Sequence, residues 1–345
     1  MGKKIKVLIV DDSALIRNVL TDIINAHPNI EVIGTASNPY HAVEKIKNEI
    51  PDVITLDIVM PRMDGITFLR KIMTQHPIPV VVISSLAAKD SEHAVKALEI
   101  GAISVIQKPS LTSNESLKES RESIIDSIIS ASHAKIDRKI KEYKPVERVI
   151  SHKEDEPNHA IIAIGASAGG TEVISHILKN LEPPCPPILI SQHMPAGFTK
   201  AFADRLNSFC KLHVEEVSIN EIAKPNHVYI APGSYHLLLK KAGQNFSFYL
   251  SDDDPVNRHK PSVDVMFDTF AKYAASKTLA ILLTGMGKDG AEGLKNIRNA
   301  GGYTIAQDED SCVVFGMPKE AIARGAAIKI MQPNDIIREI INFKR

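Results

Sequence analysis

The sequence predicts two α/β domains, each wound around a parallel sheet, with a charged segment between them. Three observations predict it: the length, a strand-helix rhythm that occurs twice, and the interruption of that rhythm. The chain has 345 residues, and at about 100 to 200 residues per domain two cores are expected rather than one. Short β-branched runs alternate with helix-period segments from Ile5 to about residue 132 and again from Ala160, the pattern of βαβ units in a parallel sheet buried on both faces. Between His133 and Asn158 the pattern gives way to 7 Lys or Arg and 6 Asp or Glu, with Pro145 and Pro157. Such a stretch buries too little apolar surface to offset the entropy of ordering it. The expected organisation is an N-terminal domain over 1–132, a charged linker over 133–158 and a C-terminal domain over 159–345.

In the first domain the strands are read in IKVLIV, EVIGTAS, DVITLDIV, VVVISS and ISVIQKP, with SALIRNVLTDIINA and PYHAVEKIKNE as the first two intervening helices. Five strands so spaced make a doubly wound five-stranded parallel sheet. Leu117, Ile124, Ile125, Ile128 and Ile129 fall at helical spacing and predict a closing amphipathic helix near residue 132. In the second domain AIIAIGAS, PPILISQH, NHVYIAPG, TLAILLTGMG, GYTIAQ and AIKIM read as strands of a second doubly wound α/β fold, and HLLLKKAGQNFSFYLS reads as an antiparallel hairpin.

Composition removes several function classes. Lys plus Arg and Asp plus Glu number 41 each, and residues 159–345 carry 20 basic against 19 acidic side chains. No basic surface for nucleic acid or an anionic membrane is expected. No run approaches the 18 or so apolar residues needed to cross a bilayer, so membrane insertion is not expected. The three cysteines, Cys185, Cys210 and Cys312, have no CxxC spacing, and nothing at Met1 to Val10 resembles a signal peptide. The protein reads as cytoplasmic and reduced.

The chemistry of the first domain gathers at strand ends. Asp11 and Asp12 end the first predicted strand, Asp57 the third, while Ser84 follows the fourth and Lys108 the fifth. Carboxyl ends of parallel strands share one edge of a sheet, where ligands bind at the switch in strand order. Clustered carboxylates raise one another's pKa unless a hard cation neutralises them, and Mg²⁺ favours such oxygen ligands. Flanked by Mg²⁺ and an ammonium group, Asp57 is a nucleophile toward phosphorus, and Ser84 can donate to a phosphoryl oxygen. These residues, with Lys108-Pro109 and the run DIVMPRMDG, resemble a two-component receiver domain over its whole length. The resemblance implies phosphorylation of Asp57 by a histidine kinase, Mg²⁺ held by Asp12 and Asp57, and a cis peptide before Pro109. Val105 stands where receivers often carry an aromatic switch residue.

In the second domain GASAGGT, residues 165–171, follows a buried strand and precedes a helix-like segment. Residues 165–169 match G-x-S-x-G, in which small residues permit a sharp turn that exposes the oxygen of Ser167. A dinucleotide fingerprint is excluded because Ser167 occupies the position of its middle glycine. A serine nucleophile needs an imidazole base, and the base needs a carboxylate. His193 ends the next strand, and Asp289 lies in the loop TGMGKDG, whose Met286 N–H is a candidate oxyanion donor. Asp252 to Asp254, Asp264 and Asp268 remain alternative acids. Arg258 and His259 are candidates for contacting an acidic substrate, against the alternative of a solvated loop. No HExxH, HxH or Cys/His spacing supports a metal hydrolase, and no cofactor is expected in this domain.

IGASAGGTE, SQHMPAGFTKAFADRLN, YIAPG, PVNRHKPSVDVMF, LLTGMGKDGAEG and TIAQDEDSCVVFGMP resemble the catalytic domain of the chemotaxis protein-glutamate methylesterase (CheB) family. That resemblance implies a Ser167-His193-Asp289 triad and a cytoplasmic, phosphorylation-activated hydrolase. It would demethylate glutamate methyl esters on methyl-accepting chemoreceptors and deamidate selected receptor glutamines, with a chemotaxis histidine kinase as phosphodonor. Ala168 departs from the threonine often found there. From the residues alone, a non-catalytic partner-binding output domain and a regulated small-molecule esterase stay open.

Overall fold

The computed structural model describes residues 3–60, 64–85, 87–109, 114–136, 160–218 and 221–343. Two compact units result, Met1–Lys141 and Glu142–Arg345. From residue 137 on, the expected linker lies outside the described residues, as do Pro61, Arg62 and Met63 of the DIVMPRMDG run.

The first unit runs β1 (Ile5–Val10), α1 (Ala14–Asn25), β2 (Ile30–Ala36), α2 (Pro39–Asn48), β3 (Val53–Leu56), α3 (Gly65–Gln75), β4 (Val80–Ser84), α4 (Ala88–Ile100), β5 (Ser104–Gln107) and α5 (Asn114–Ser132). The strands pair in the order β2-β1-β3-β4-β5, all parallel. β3 and β4 are buried along their whole length, which is why they read as unbroken apolar runs rather than alternating ones. Helix starts are set by side-chain caps: Ser13 Oγ accepts from Ile16 N, Asn38 from His41 N and Asp64 from Thr67 N.

The second unit runs β6 (Ile161–Ala166), α6 (Gly170–Lys179), β7 (Ile188–Gln192), α7 (Phe198–Asn207), β8 (His213–Glu216), β9 (Glu221–Ile222), β10 (His227–Ile230), β11 (His236–Ala242) and β12 (Asn245–Ser251). It continues with α8 (Val263–Tyr273), β13 (Thr278–Leu282), α9 (Ala291–Asn299), β14 (Tyr303–Gln307), α10 (Met317–Ala323), β15 (Lys329–Met331) and α11 (Pro333–Asn342). Seven parallel strands lie in the order β15-β14-β13-β6-β7-β10-β8. The chain builds outward from β6 to one side, then returns to add β13, β14 and β15 on the other. The β6/β13 junction is therefore the switch in strand order, where an open parallel sheet presents a crevice.

The expected hairpin is β11-β12, antiparallel over its full length and extended by β9 into a three-stranded sheet. Gly243, at φ +63°, supplies the left-handed first position of its two-residue turn. Leu237, Leu239 and Phe248 from this sheet share one core with Val263, Met266, Phe267 and Phe270 of α8. At about 25 cal/mol per Å² of buried apolar surface, this packing fixes the position of α8, and the start of α8 anchors the site described next. Among the described residues no helix is long and apolar enough to cross a membrane.

Candidate active site

Three neighbouring strands end together in the second unit. Leu283 N bonds Gly165 O, Ser167 N bonds Thr284 O, and His193 N bonds Ala166 O, so the β13-β6-β7 ladder runs to the edge where Ser167 and His193 emerge. Gly170 N closes a turn onto Ser167 O, and Gly169 within that turn has φ +74°. A side chain at Gly169 would be strained there and would meet Val313 Cβ at 2.5 Å. Gln192, which the sequence reading did not single out, clamps both backbones: its Nε2 donates to Ser167 O at 3.0 Å and to His193 O at 3.1 Å.

His193 Nε2 lies 2.8 Å from Asp289 Oδ2, and the two side chains are only 7% and 1% exposed. An ionised carboxylate can only accept, so Nε2 carries the proton and Nδ1 carries the lone pair of the neutral ring. Nδ1 is buried and has no hydrogen-bond partner among the described residues. Asp289 is fixed by more than the histidine. Its Oδ2 also accepts from Val263 N at 2.7 Å, and its Oδ1 accepts from Asn257 Nδ2 at 2.9 Å, Ser262 Oγ at 2.8 Å and Asp264 N at 3.3 Å. Val263 and Asp264 open α8, so the carboxylate sits on the positive end of a helix. Burial alone would raise its pKa, but the hydrogen bonds from His193, Asn257 and Val263 outweigh it and hold the carboxyl below its ordinary range.

The alternative acids are placed elsewhere. Asp252 pairs with Lys260, Asp253 with Ser251 and Asp268 with Asn296, while Asp264 accepts from Gly293 N and Asn257. Burial, with the nearby Asp289 charge, raises Asp264 to about 6. Of these carboxylates only Asp289 bonds His193.

The PVNRHKPS segment is exposed at Pro255, Val256 and Arg258, as a solvated loop would be, while Asn257 and His259 are partly buried against the site. Val256 and His259 exchange backbone hydrogen bonds around Asn257 and Arg258, both at positive φ, +52° and +68°. This tight turn sends Asn257 to bridge Asp264 and Asp289 and lays the His259 ring on His193, centroids 3.7 Å apart and 18° from parallel. Burial, the largest cause, pushes His259 down to about 3, so it stays neutral beside His193.

Met286 lies on the loop after β13. Its N–H makes no hydrogen bond within the protein among the described residues, whereas the flanking Gly285 is tied by its N–H to Val314 O and by its carbonyl to Gly316 N and Met317 N. A Cβ at Gly285 would lie 2.6 Å from Ser167 Cβ, so only glycine lets this loop approach the serine.

The first unit holds its own cluster. Lys108 Nζ lies 2.7 Å from Asp57 Oδ2 and 3.0 Å from Asp11 Oδ2, and Asp11, Asp12 and Asp57 each offer an oxygen within 4.8 Å of the others. Asp11 and Asp57 are buried, Asp12 is exposed, and the buried Ser84 Oγ has no partner among the described residues. Asp57 is raised by burial, against the opposing Lys108. Lys108 is raised because both carboxylates outweigh the burial that would lower it. The expected cis bond before Pro109 is a correction. Among the described residues the cis peptides are Pro183-Pro184 and Lys260-Pro261, and the ordinary trans Lys108-Pro109 isomer already brings the ammonium to both carboxylates.

Residues 162–340 match the family described as CheB methylesterase, and residues 7–120 match the response regulator receiver domain. The chain is 49% identical to a protein-glutamate methylesterase/protein-glutamine glutaminase of group 3 operon from Rhodopseudomonas palustris, over 99% of this chain and 97% of the relative. A Geobacter metallireducens protein-glutamate methylesterase/protein-glutamine glutaminase is 48% identical over 99% of both chains. The crystal structure of the Thermotoga maritima CheB methylesterase catalytic domain aligns with a TM-score of 0.52 at 43% identity, covering 54% of this chain and 98% of that one. The chain therefore belongs to the CheB methylesterase family and carries a response regulator receiver domain ahead of its catalytic domain.

Proposed function

We propose that the protein is a phosphorylation-regulated serine hydrolase that removes methyl groups from glutamate methyl esters of methyl-accepting chemoreceptors, and that it also converts selected receptor glutamines to glutamate. The observation that carries this reading is the buried His193-Asp289 pair, with the free imidazole nitrogen at the strand end beside that of Ser167. The names of the full-length relatives supply the substrate class.

His193 Nδ1 takes the proton of Ser167 Oγ as that oxygen attacks the ester carbonyl. Asp289 holds the ring in the Nε2–H tautomer and stabilises the imidazolium, and its helix-end setting keeps it ionised while it does so. The Met286 N–H is our candidate donor to the developing oxyanion. Collapse of the tetrahedral intermediate expels the methoxy group, which leaves as methanol with the proton from Nδ1. Water then attacks the acyl-serine, again giving its proton to Nδ1, and release of the glutamate carboxylate returns that proton to Ser167. With glutamine the leaving group is ammonia. His259, neutral in its stack on His193, avoids placing a second cation beside the imidazolium.

In the receiver, Asp57 is the proposed phosphoryl acceptor and a chemotaxis histidine kinase the proposed donor. An all-oxygen cluster of Asp11, Asp12 and Asp57 suits a hard cation. Asp12 and Asp57 would hold Mg²⁺, which supplies positive charge against the carboxylates and the incoming phosphoryl group. Ser84 Oγ is available to donate to a phosphoryl oxygen, and Lys108 offsets the charge from the other side. With these proposed partners, the proposed location is the cytoplasm.

Mass spectrometry of a methylated receptor fragment, before and after incubation with the protein, tests the reading. Loss of 14 mass units per methyl ester, in keeping with methyl replaced by hydrogen at about that mass, is expected with wild type and absent with Ser167→Ala. Conversion by both proteins would overturn the serine mechanism. Turnover of a small ester but not of receptor would favour a small-molecule esterase.

A further inference from the structure

The short edge strand β8 brings two histidines and a glutamate together far along the sheet from Ser167. His213 and Glu215 are two residues apart on β8 and so project from the same face. His227 opens the neighbouring β10 and is paired in register with His213. One ligand atom from each of the three lies within 4.8 Å of the others. Glu215 Oε1 is 3.3 Å from His227 Nδ1 and 3.7 Å from His213 Nε2, and the two rings are 4.7 Å apart, tilted by 60°.

We propose that His213, Glu215 and His227 form a binding site for a borderline divalent cation of the zinc class, separate from both sites described above. The spacing fits the ion. Ligands about 2.0 to 2.1 Å from a tetrahedral Zn²⁺ stand roughly 3.4 Å from one another, and the two glutamate-imidazole distances bracket that value. The donor set selects the metal as well. Two imidazoles and one carboxylate suit Zn²⁺, Ni²⁺ or Cu²⁺, whereas Mg²⁺ and Ca²⁺ demand oxygen. Three protein ligands leave the fourth position to water, on a side of the cluster where His213 is half exposed.

Position gives the site a structural effect rather than a catalytic one. His213 and His227 are the first residues of parallel strands, whereas Ser167 and His193 follow the carboxyl ends of β6 and β7. The two sites therefore occupy opposite edges of the sheet. A bound ion would clip the outermost strand to β10. That strand also carries Glu216, which accepts from Thr199 Oγ1 at 2.6 Å and so ties β8 to the start of α7. An ion that binds only the folded state stabilises it by mass action.

The full-length protein, stripped with chelator and titrated with zinc chloride, tests the site. Wild type should bind a zinc equivalent that His213→Asn and His227→Asn each lose, while Asp12→Asn, at the receiver cluster, retains it. With free Zn²⁺ about a hundredfold above its dissociation constant, the melting transition of the catalytic unit should rise by about 5 to 10 °C in wild type only. Substituted Co²⁺ should give the intense visible bands of a four-coordinate site. Retained methyl ester hydrolysis in both histidine variants would show that they fold, so that their loss of zinc reports on the ligands. Equal zinc binding by wild type and the two histidine variants, or none by wild type, overturns the proposal. In the latter case the three side chains are only an ion-paired surface cluster.

Discussion

His193 turns Nε2 toward its carboxylate, and the proposed chemistry is therefore assigned to Nδ1, the buried nitrogen without a partner. Ser167→Ala and His193→Ala should each lower methanol release by about 10⁴ to 10⁶ with the fold retained. Asp289→Asn should be less severe, because a misoriented base can still take the proton of the attacking hydroxyl. A Ser167 variant with near wild-type turnover would sink the assignment. His259 offers an independent test of the local electrostatics. Its pKa in the folded protein, about 3, lies below the ordinary 6.5, so the unfolded chain binds the extra proton. The stability it contributes is present above about pH 6.5 and is lost as pH falls from there toward 3. NMR of ring-labelled histidine should find His259 neutral at pH 5, where an ordinary histidine is already protonated; titration near 6.5 would contradict the buried stack. These details were not legible in the sequence. Ser167, His193 and Asp289 could be proposed because each follows a strand, but Asn257, Ser262 and Gln192 look like ordinary loop and strand residues. Their roles exist only through contacts such as the 32 positions between Asn257 and Asp289.

The start of α8 is the element on which the site depends. Ser262 Oγ accepts from Val265 N as the N-cap and donates to Asp289 Oδ1, so one hydroxyl serves the helix and the carboxylate together. Ser262→Ala should cost about 1 kcal/mol of stability, as cap losses do, and should also slow ester hydrolysis; unfolding by denaturant and methanol release check the two effects separately. The glycine loop after β13 is the second such element. Gly285→Ala would force its new methyl group against Ser167 Cβ and Met317 Sδ, at 2.6 and 2.4 Å, and a shift of about 1 Å at a reacting group can cost about 10²-fold in rate. Turnover unchanged in Gly285→Ala would mean that the loop is not tightly set against the serine. At this scale the sequence was most informative where strands are buried on both faces. VVVIS and AIIAIG are continuous apolar runs, and both are fully buried strands. It was least informative at the sheet's edges. β8 reads HVEE and β9 only EI, because an edge strand with neighbours on one side can carry charge and needs no apolar run.

Two compact units with separate clusters make regulation a question of the whole molecule. The His193-Asp289 contact lies within the second unit, so phosphorylation need not build the proposed chemistry and has only to change its use. Phosphorylation exchanges the single negative charge of the Asp57 carboxylate for the nearly two of an acyl phosphate and adds strong acceptors, enough to bias a two-state equilibrium when contacts differ between the states. Asp57 should be labelled by a small phosphodonor with Mg²⁺ and not in chelator, because the clustered carboxylates otherwise repel the incoming anion; label persisting in Asp57→Asn would place the acceptor elsewhere. Val105, buried in β5, stands where an aromatic switch residue is often found, so the signal is expected to run through Ser84 and the loop after β4. The unphosphorylated receiver should restrain hydrolysis, and a chain of residues 133–345 should therefore be faster than the unphosphorylated full chain and indifferent to phosphodonor. The most direct measurement is methanol release from methylated receptor by the full chain, by Asp57→Asn and by Ser167→Ala, each with and without phosphodonor and Mg²⁺. The account predicts stimulation in the full chain, unstimulated basal turnover in Asp57→Asn and no release from Ser167→Ala. Stimulated release from Asp57→Asn, or release from Ser167→Ala at the wild-type rate, would contradict it.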